Sequence, residues 1–418
     1  MKRFLLLAAL LLMGGLFCSC TVEVHFASPQ QSAASETQTA AQIEPAQTSA
    51  SDAAGEQNEI RAAWVSYTEL NPQRLRSEAD FQAHVKTLLA PLTALSVTDV
   101  FLQVRPFADA IYPSALFAPS SCVVRRRGDT LPLDFLAVFL SQAKEAHLRV
   151  HAWINPYRVS TSAGDEAAFQ SDPAVGALLK KKGAPCVLPW NGGVYLDPAS
   201  EDVQTLIVNG VKELLETYEL SGVHLDDYFY PTADAAFDSG SFAAYQKEGG
   251  KADLLSFRRE NVSRLMQRLY KAVKSFGSDK VLSVSPSADI EKNETVFGAD
   301  VRRWGREAGF CDWLIPQLYF GFQHETRPFV QCAEAWKALC KNKSVRLLGG
   351  LAAYKIGKSD AFAGSGSDEW LKAKTILGDQ VLALRKAGFD GFALFSASFL
   401  KFDKKLCATV LKNLKDVL

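Results

Sequence analysis

No sign of charge dominates this sequence: 46 lysines and arginines balance 46 aspartates and glutamates over 418 residues. A chain without a basic excess presents no field to a polyanion, so nucleic acid is excluded as the expected partner. The apolar run at 4–17 is well short of the roughly 20 residues that a bilayer-spanning helix needs. No GxGxxG or GxxxxGK[ST] loop follows any candidate strand, which removes the usual phosphate cradles and leaves no cofactor expected. The six cysteines beyond the N-terminal segment (Cys122, Cys186, Cys311, Cys332, Cys340 and Cys407) show no CxxC or zinc-like spacing, and no metal is expected. Cys332 and Cys340 lie about 12 Å apart along one predicted helix and cannot pair. The others suit small buried hydrophobes, with disulfides open to them in an oxidising compartment.

What is present starts at the N-terminus. Lys2 and Arg3 precede the uncharged run 4–17, the pattern of a signal peptide. Phe17-Cys18-Ser19-Cys20 resembles a bacterial lipobox, with Phe17 where leucine is usual. Residues 1–19 are therefore expected to be a lipoprotein signal and Cys20 the lipidated residue, anchoring the chain to the cell envelope at the outer face of a bacterial membrane. Ordinary secretion with soluble release is the alternative. Residues 20–58 are rich in Ala, Ser, Thr and Gln, too polar to offset their ordering entropy. They are expected to form a disordered tether with a span of roughly 35 Å.

From residue 59 to 418, β-rich runs alternate with amphipathic helices. Strands are expected at 61–67, 99–105, 149–155, 222–228, 281–286, 313–319, 346–353 and 391–396. Helices are expected at 79–94, 133–147, 201–218, 257–276, 329–341 and 369–387, with a weaker one in 296–309. Eight strands each followed by a helix make a single (β/α)₈ TIM barrel of class α/β, and the long loops at 106–131, 158–195 and 230–256 fall at its active-site end. Trp190, Tyr112, Phe237, Phe242 and Tyr245 in those loops read either as sugar-stacking platforms or as loop packing.

Buried parallel strands should be apolar throughout. Here several end in polar residues: Gln103 and Arg105, then His151, Trp153 and Asn155 on one face, then His224, Asp226, Asp227 and Tyr228, then Ser283 and Ser285, then Gln317 and Tyr319. Burying such groups unpartnered costs on the order of a few kcal/mol each, so five strands doing this at one end mark a site. Alternation turns His224, Asp226 and Tyr228 to one face and Asp227 to the other. Asp226 is then expected in the barrel mouth, and Asp227 to orient a loop or bind sugar hydroxyls. Parity loosens at a strand end, and exchanged roles stay open, as does a structural role for both as loop and helix caps.

His-Ala-Trp-Ile-Asn-Pro-Tyr-Arg (151–158), Gly-Val-His-Leu-Asp-Asp-Tyr-Phe-Tyr-Pro (222–231), Phe-Arg-Arg-Glu-Asn-Val (257–262) and Pro-Gln-Leu-Tyr (316–319) resemble the glycosyl-hydrolase-like family ten of bacterial envelope proteins. The resemblance runs from Arg-Ala-Ala-Trp (61–64) to Gly-Phe-Ala-Leu-Phe (391–395). It implies a TIM-barrel glycoside hydrolase, with denuded peptidoglycan strands the substrate class of at least some members. Ser285-Pro286-Ser287-Ala288 and Phe257 depart from the family's usual Ser-Pro-Phe-Gly and Trp.

Most glycosidases use two carboxyl groups. Asp226 is the first candidate, as general acid or nucleophile; for a second, Asp227, Asp109, Asp289 and Glu325 are available, and the ends of strands seven and eight offer none. An N-acetyl sugar can supply the missing nucleophile itself. Asp227 would then orient the acetamide and Tyr319 donate to its oxygen. Arg105 and Arg158 carry two readings, capture of a lactyl carboxylate or pairing with aspartate inside the mouth. Two other classes stand beside the hydrolase. One is a metal-dependent deacetylase built on Asp226, Asp227, His224, His147 and His151; the other is a glycan-binding barrel without catalysis.

Overall fold

Valine, leucine, isoleucine and alanine dominate the helix-facing side of the strand segments, while the inward side adds tryptophan, phenylalanine and histidine, which suits parallel strands sandwiched between a filled interior and a coat of helices. In a computed structural model, which describes residues 59–70, 77–124, 128–161, 169–183 and 185–418, eight such strands close into a barrel. They are β1 (Ile60–Val65), β2 (Asp99–Arg105), β3 (Arg149–Ile154), β4 (Gly222–Leu225), β5 (Val281–Val284), β6 (Trp313–Leu314), β7 (Arg346–Leu351) and β8 (Gly391–Leu394). Every strand pairs in parallel with its neighbours in sequence, and β8 closes on β1 through Ile60 opposite Gly391. The barrel interior is packed by Ile60, Ala62, Trp64, Phe101, Trp153, Trp313, Ile315, Leu348 and Ala393. A larger apolar layer fills the space between strands and helices.

The coat is built from α1 (Glu78–Ala94), α2 (Phe135–Glu145), α3 (Glu201–Thr217), α4 (Leu254–Lys274), α5 (Val301–Trp304), α6 (Phe329–Leu339), α7 (Ile376–Lys386) and α8 (Lys405–Val417). Side-chain caps start five of them: Ser77 on the Asp80 amide, Asp134 on Ala137, Ser200 on Val203, Asp253 on Ser256 and Asp300 on Arg303. Each such cap contributes about 1 kcal/mol.

The strands stop earlier than their polar continuations suggested. β4 ends at Leu225, so Asp226 and Asp227 lie just past the ladder, and β6 is two residues long with a further bridge at Gln317. The helix expected over 369–387 is two, Glu369–Lys372 and α7. The segment 296–309 holds only the short α5. The loop after β3 builds a three-stranded antiparallel sheet from Arg158–Ser160, Val187–Trp190 and Gly193–Leu196. All six described cysteines are free thiols. Among the described residues, no helix is long and apolar enough to cross a membrane. The expected signal segment, the tether and Cys20 lie outside the described residues.

Candidate active site

Two side chains and one backbone amide converge on Asp226 at the barrel mouth. Its Oδ2 accepts from the Trp153 indole N–H at 3.1 Å and from Asn155 Nδ2 at 2.5 Å, while Oδ1 accepts from the Tyr228 amide at 3.2 Å. Asn155 is held in turn. Its Oδ1 accepts from Gln103 Nε2 at 2.6 Å, and Gln103 Oε1 accepts from the Tyr67 amide at 3.2 Å. This chain fixes which end of the Asn155 amide faces Asp226, so the carboxylate meets a donor rather than a carbonyl. Burial raises the Asp226 carboxyl above the usual range, against the pull of nearby Arg158 and the donors of Asn155, Tyr228 and Trp153.

Asp227, half-buried, turns toward the opposite side of the mouth, where the Gln317 amide bonds it. Burial, then repulsion from the Asp226 charge, push its carboxyl up to about 7, opposed by Gln317 and Lys292. Gln317 also donates to the Ser285 carbonyl at 2.9 Å. Tyr319 packs against Tyr354 and Phe395, with ring centroids 5.7 and 5.8 Å away. Burial raises its phenol well above the ordinary value, so it stays a donor. The result is two adjacent carboxyls of unlike environment in one mouth, a pairing suited to splitting acid and anion roles.

Asp226, Asp227, Trp153, Asn155, Arg158, Tyr228, Gln317 and Tyr319 thus share the mouth. Four other expected ligand contacts do not. His224 is fully buried beneath it: its Nε2 accepts from Trp64 Nε1 at 2.9 Å, its Nδ1 faces Ser283 Oγ at 2.8 Å, and its ring stacks on Phe101 at 4.1 Å. The Trp64 donor assigns the proton to Nδ1. Burial, then the charge of His151, holds the ring well below its ordinary pKa and neutral. His151 lies still lower, bonded through Nε2 to Asp99 at 2.9 Å. Both are inward-facing as alternation required, but the interior below the mouth is closed core.

Arg105 is the clearest correction. A bulge between Gln103 and Arg105 shifts the register against β3, so Arg105 stands opposite Ile154 and takes its outward parity. The guanidinium is buried against the coat, 3.7 Å from the Phe117 ring centroid, and an added Cβ at Gly210 of α3 would lie 2.4 Å from its Nη1. Only glycine permits that approach. Asp109 sits in a two-residue strand of the same loop, its Oδ1 accepting from the Phe107 amide at 3.3 Å, and is buried there. Tyr112 and Phe237 are buried packing residues rather than platforms. Trp190 rests edge-on against Phe237, and Phe242 and Tyr245 pack around Phe257.

The remaining candidates for a second carboxylate are engaged elsewhere. Asp289 pairs with Arg327 at 2.6 Å, and Glu325 accepts from the Ser365 amide at 3.1 Å. Sequence reading did not single out Glu69. It is buried at the rim, accepting from Ser66 N, Ser396 Oγ and Ser398 N at 2.6, 2.8 and 2.6 Å, and ties the loop after β1 to the end of β8. Gln103 was visible as a polar strand residue, but nothing in its spacing revealed its grip on Asn155. His147 is exposed at the turn preceding β3, and among the described residues no three His, Cys, Asp or Glu side chains are grouped to hold a metal ion. A cavity of about 450 Å³ beside α3 and α4, with Asp197, Tyr245 and Arg264 in its wall, is separate from the mouth: none of the mouth residues lines it.

The model of the family described as glycosyl hydrolase-like 10 matches residues 59–365. The glycosyl hydrolase YngK of Bacillus subtilis is 28% identical over 342 residues, covering 76% of this chain and 65% of that protein. The chain therefore spans less than two thirds of the YngK length. The glycosyl hydrolase DigH of Escherichia coli K12 is 28% identical over 318 residues, 71% of this chain and 72% of that one. Among solved structures, the glycoside hydrolase domain of PgaB (BpsB) from Bordetella bronchiseptica superposes with a TM-score of 0.57 at 16% identity, covering 86% of this chain and 98% of the domain. An α-L-fucosidase from Paenibacillus thiaminolyticus gives 0.51 at 14% identity, covering 86% and 49%. These two share the fold.

Proposed function

The chain belongs to the glycosyl hydrolase-like 10 family, and on that premise we propose that it hydrolyses O-glycosidic bonds of an envelope glycan, the amino-sugar strands of peptidoglycan, at the Asp226–Asp227 mouth. The observation that carries this is the pair of adjacent carboxyls there, one set among donors and one pushed up to about 7. A carboxyl that keeps its proton near neutral pH can give it to a leaving oxygen.

Asp227 is the proton donor in this reading. Asp226, facing three N–H donors, is the anion. Two neighbours in sequence cannot flank a glycosidic bond from opposite faces as a retaining nucleophile and acid do, and the other candidate carboxylates are engaged. The substrate's own acetamide then completes the chemistry. Its carbonyl oxygen attacks the anomeric carbon as Asp227 protonates the departing oxygen, and Asp226 stabilises the positive charge that develops on the acetamide nitrogen. Tyr319 donates to the acetamide oxygen. Water next opens the cyclic intermediate at the anomeric carbon, returning its proton to Asp227 and restoring the acetamide. The product keeps its configuration. Proton NMR of the first-formed anomer tests this: retention is expected, whereas inversion, or a covalent glycosyl-enzyme trapped with a 2-fluoro sugar, would contradict it. Export and anchoring through a lipidated Cys20 belong to the same proposal, because the substrate lies outside the cytoplasm.

A further inference from the structure

Arg158 stands at the mouth in a form unusual for a surface cation. Its guanidinium carbon lies 4.6 Å from the Tyr228 ring centroid and 4.8 Å from that of Phe107, so two aromatic rings hold the group. Nε donates to the Pro106 carbonyl at 3.1 Å, and Nη2 reaches Asn155 Oδ1 at a long 3.4 Å. Among the described residues no carboxylate forms an ion pair with Arg158. A guanidinium has five N–H donors, so most of the fork remains for a ligand. Asn155, which donates to Asp226, links the guanidinium to that carboxylate. Stacking fixes the plane of the fork in advance, which reduces the entropy lost when a planar anion docks.

We propose that Arg158 is the specificity residue of this site, selecting a sugar that bears a free carboxylate next to the bond that is cut. The inference rests on the reading of the mouth as a glycan-cleaving site. The carboxylate can belong to a lactyl ether or to a uronic acid, since both offer the same planar pair of oxygens to the fork. Arg105, the other candidate, is buried in the helix coat and cannot contribute.

The test uses the full chain and four glycans: an N-acetylglucosamine–muramic acid strand with free lactyl carboxylates, the same strand with those carboxyls converted to methylamides, a neutral N-acetylglucosamine oligomer, and a strand containing glucuronate. Turnover and equilibrium binding are both measured. The parent should prefer the free lactyl strand over its amide by about tenfold to a hundredfold, the range of a bidentate charge-assisted contact. Arg158→Met should erase that preference, with a loss on the free strand that exceeds the loss on the amidated strand by the same roughly tenfold to hundredfold and is read chiefly in KM and Kd. Arg158→Lys should restore only part of it. A preference for glucuronate that Arg158→Met also erases assigns the uronic source instead. Equal use of the free and amidated strands by the parent, or an equal loss on both in Arg158→Met, would overturn the assignment. Preferential binding of the free strand without turnover of any glycan would keep the Arg158 assignment and remove the hydrolase reading.

Discussion

Two neighbouring aspartates differ because their partners differ. Asp226 meets N–H donors from Trp153, Asn155 and Tyr228, whereas Asp227 meets Gln317 and the Asp226 charge. If Asp227 gives the proton, kcat should fall as pH rises through about 7, and Asp227→Asn should lose about 10² to 10⁴ in kcat. Stability should fall over the same rise in pH. A carboxyl whose folded pKa is raised binds protons more tightly in the folded state, so the native state loses stability as pH rises from about 4 to about 7. Asp227→Asn should therefore unfold at higher denaturant than the parent at pH 8 and show a flatter dependence across that window. A less stable Asp227→Asn at pH 8 would mean the carboxyl is not the strained group inferred here. Gln103 acts through Asn155. Gln103→Glu replaces a donor with an acceptor, turns the Asn155 oxygen toward Asp226, and should lower kcat by about tenfold or more with KM little changed. An unchanged pH–rate profile in that variant would argue that the relay does not reach Asp226.

At the scale of elements, the strands read as short apolar runs because both faces are covered, the helices by their period of about 3.6, and alternation of side chains says which strand residues face inward. The inward set Trp153, Asn155, His224 and Asp226 was legible for the same reason. What alternation cannot show is depth. His151 and His224 share a face with Asn155 and Asp226 but lie lower, inside packed core. It also cannot show a bulge: one extra residue at Val104 reverses Arg105, and nothing in Gln-Val-Arg announces it. Nor does spacing within one segment reveal contacts across loops, which is why Glu69 and the role of Gln103 emerged only from the assembled barrel. The bulge makes α3 depend on glycine at one turn. Gly210→Ala should destabilise by about 1–3 kcal/mol through overpacking against Arg105 and Phe117, read as a lower denaturation midpoint. An unchanged midpoint would place the Arg105 guanidinium elsewhere.

For the whole molecule, a closed barrel with one polar mouth concentrates its chemistry at the ends of β2 to β6, while the opposite end and the helix coat supply rigidity. The sequence before residue 59 is expected to carry the body to its substrate. Partition of the full chain into the detergent phase of a cloud-point separation, abolished by Cys20→Ser, checks that expectation; aqueous recovery of the parent would favour soluble release. The central claim is tested most directly by mass spectrometry of purified peptidoglycan glycan strands, free of stem peptides, after incubation with the parent, Asp226→Asn and Asp227→Asn. New saccharide fragments from the parent, lost in both variants, are the predicted result. Strands left intact by the parent, despite measurable binding, would contradict it and identify the barrel as a glycan-binding module.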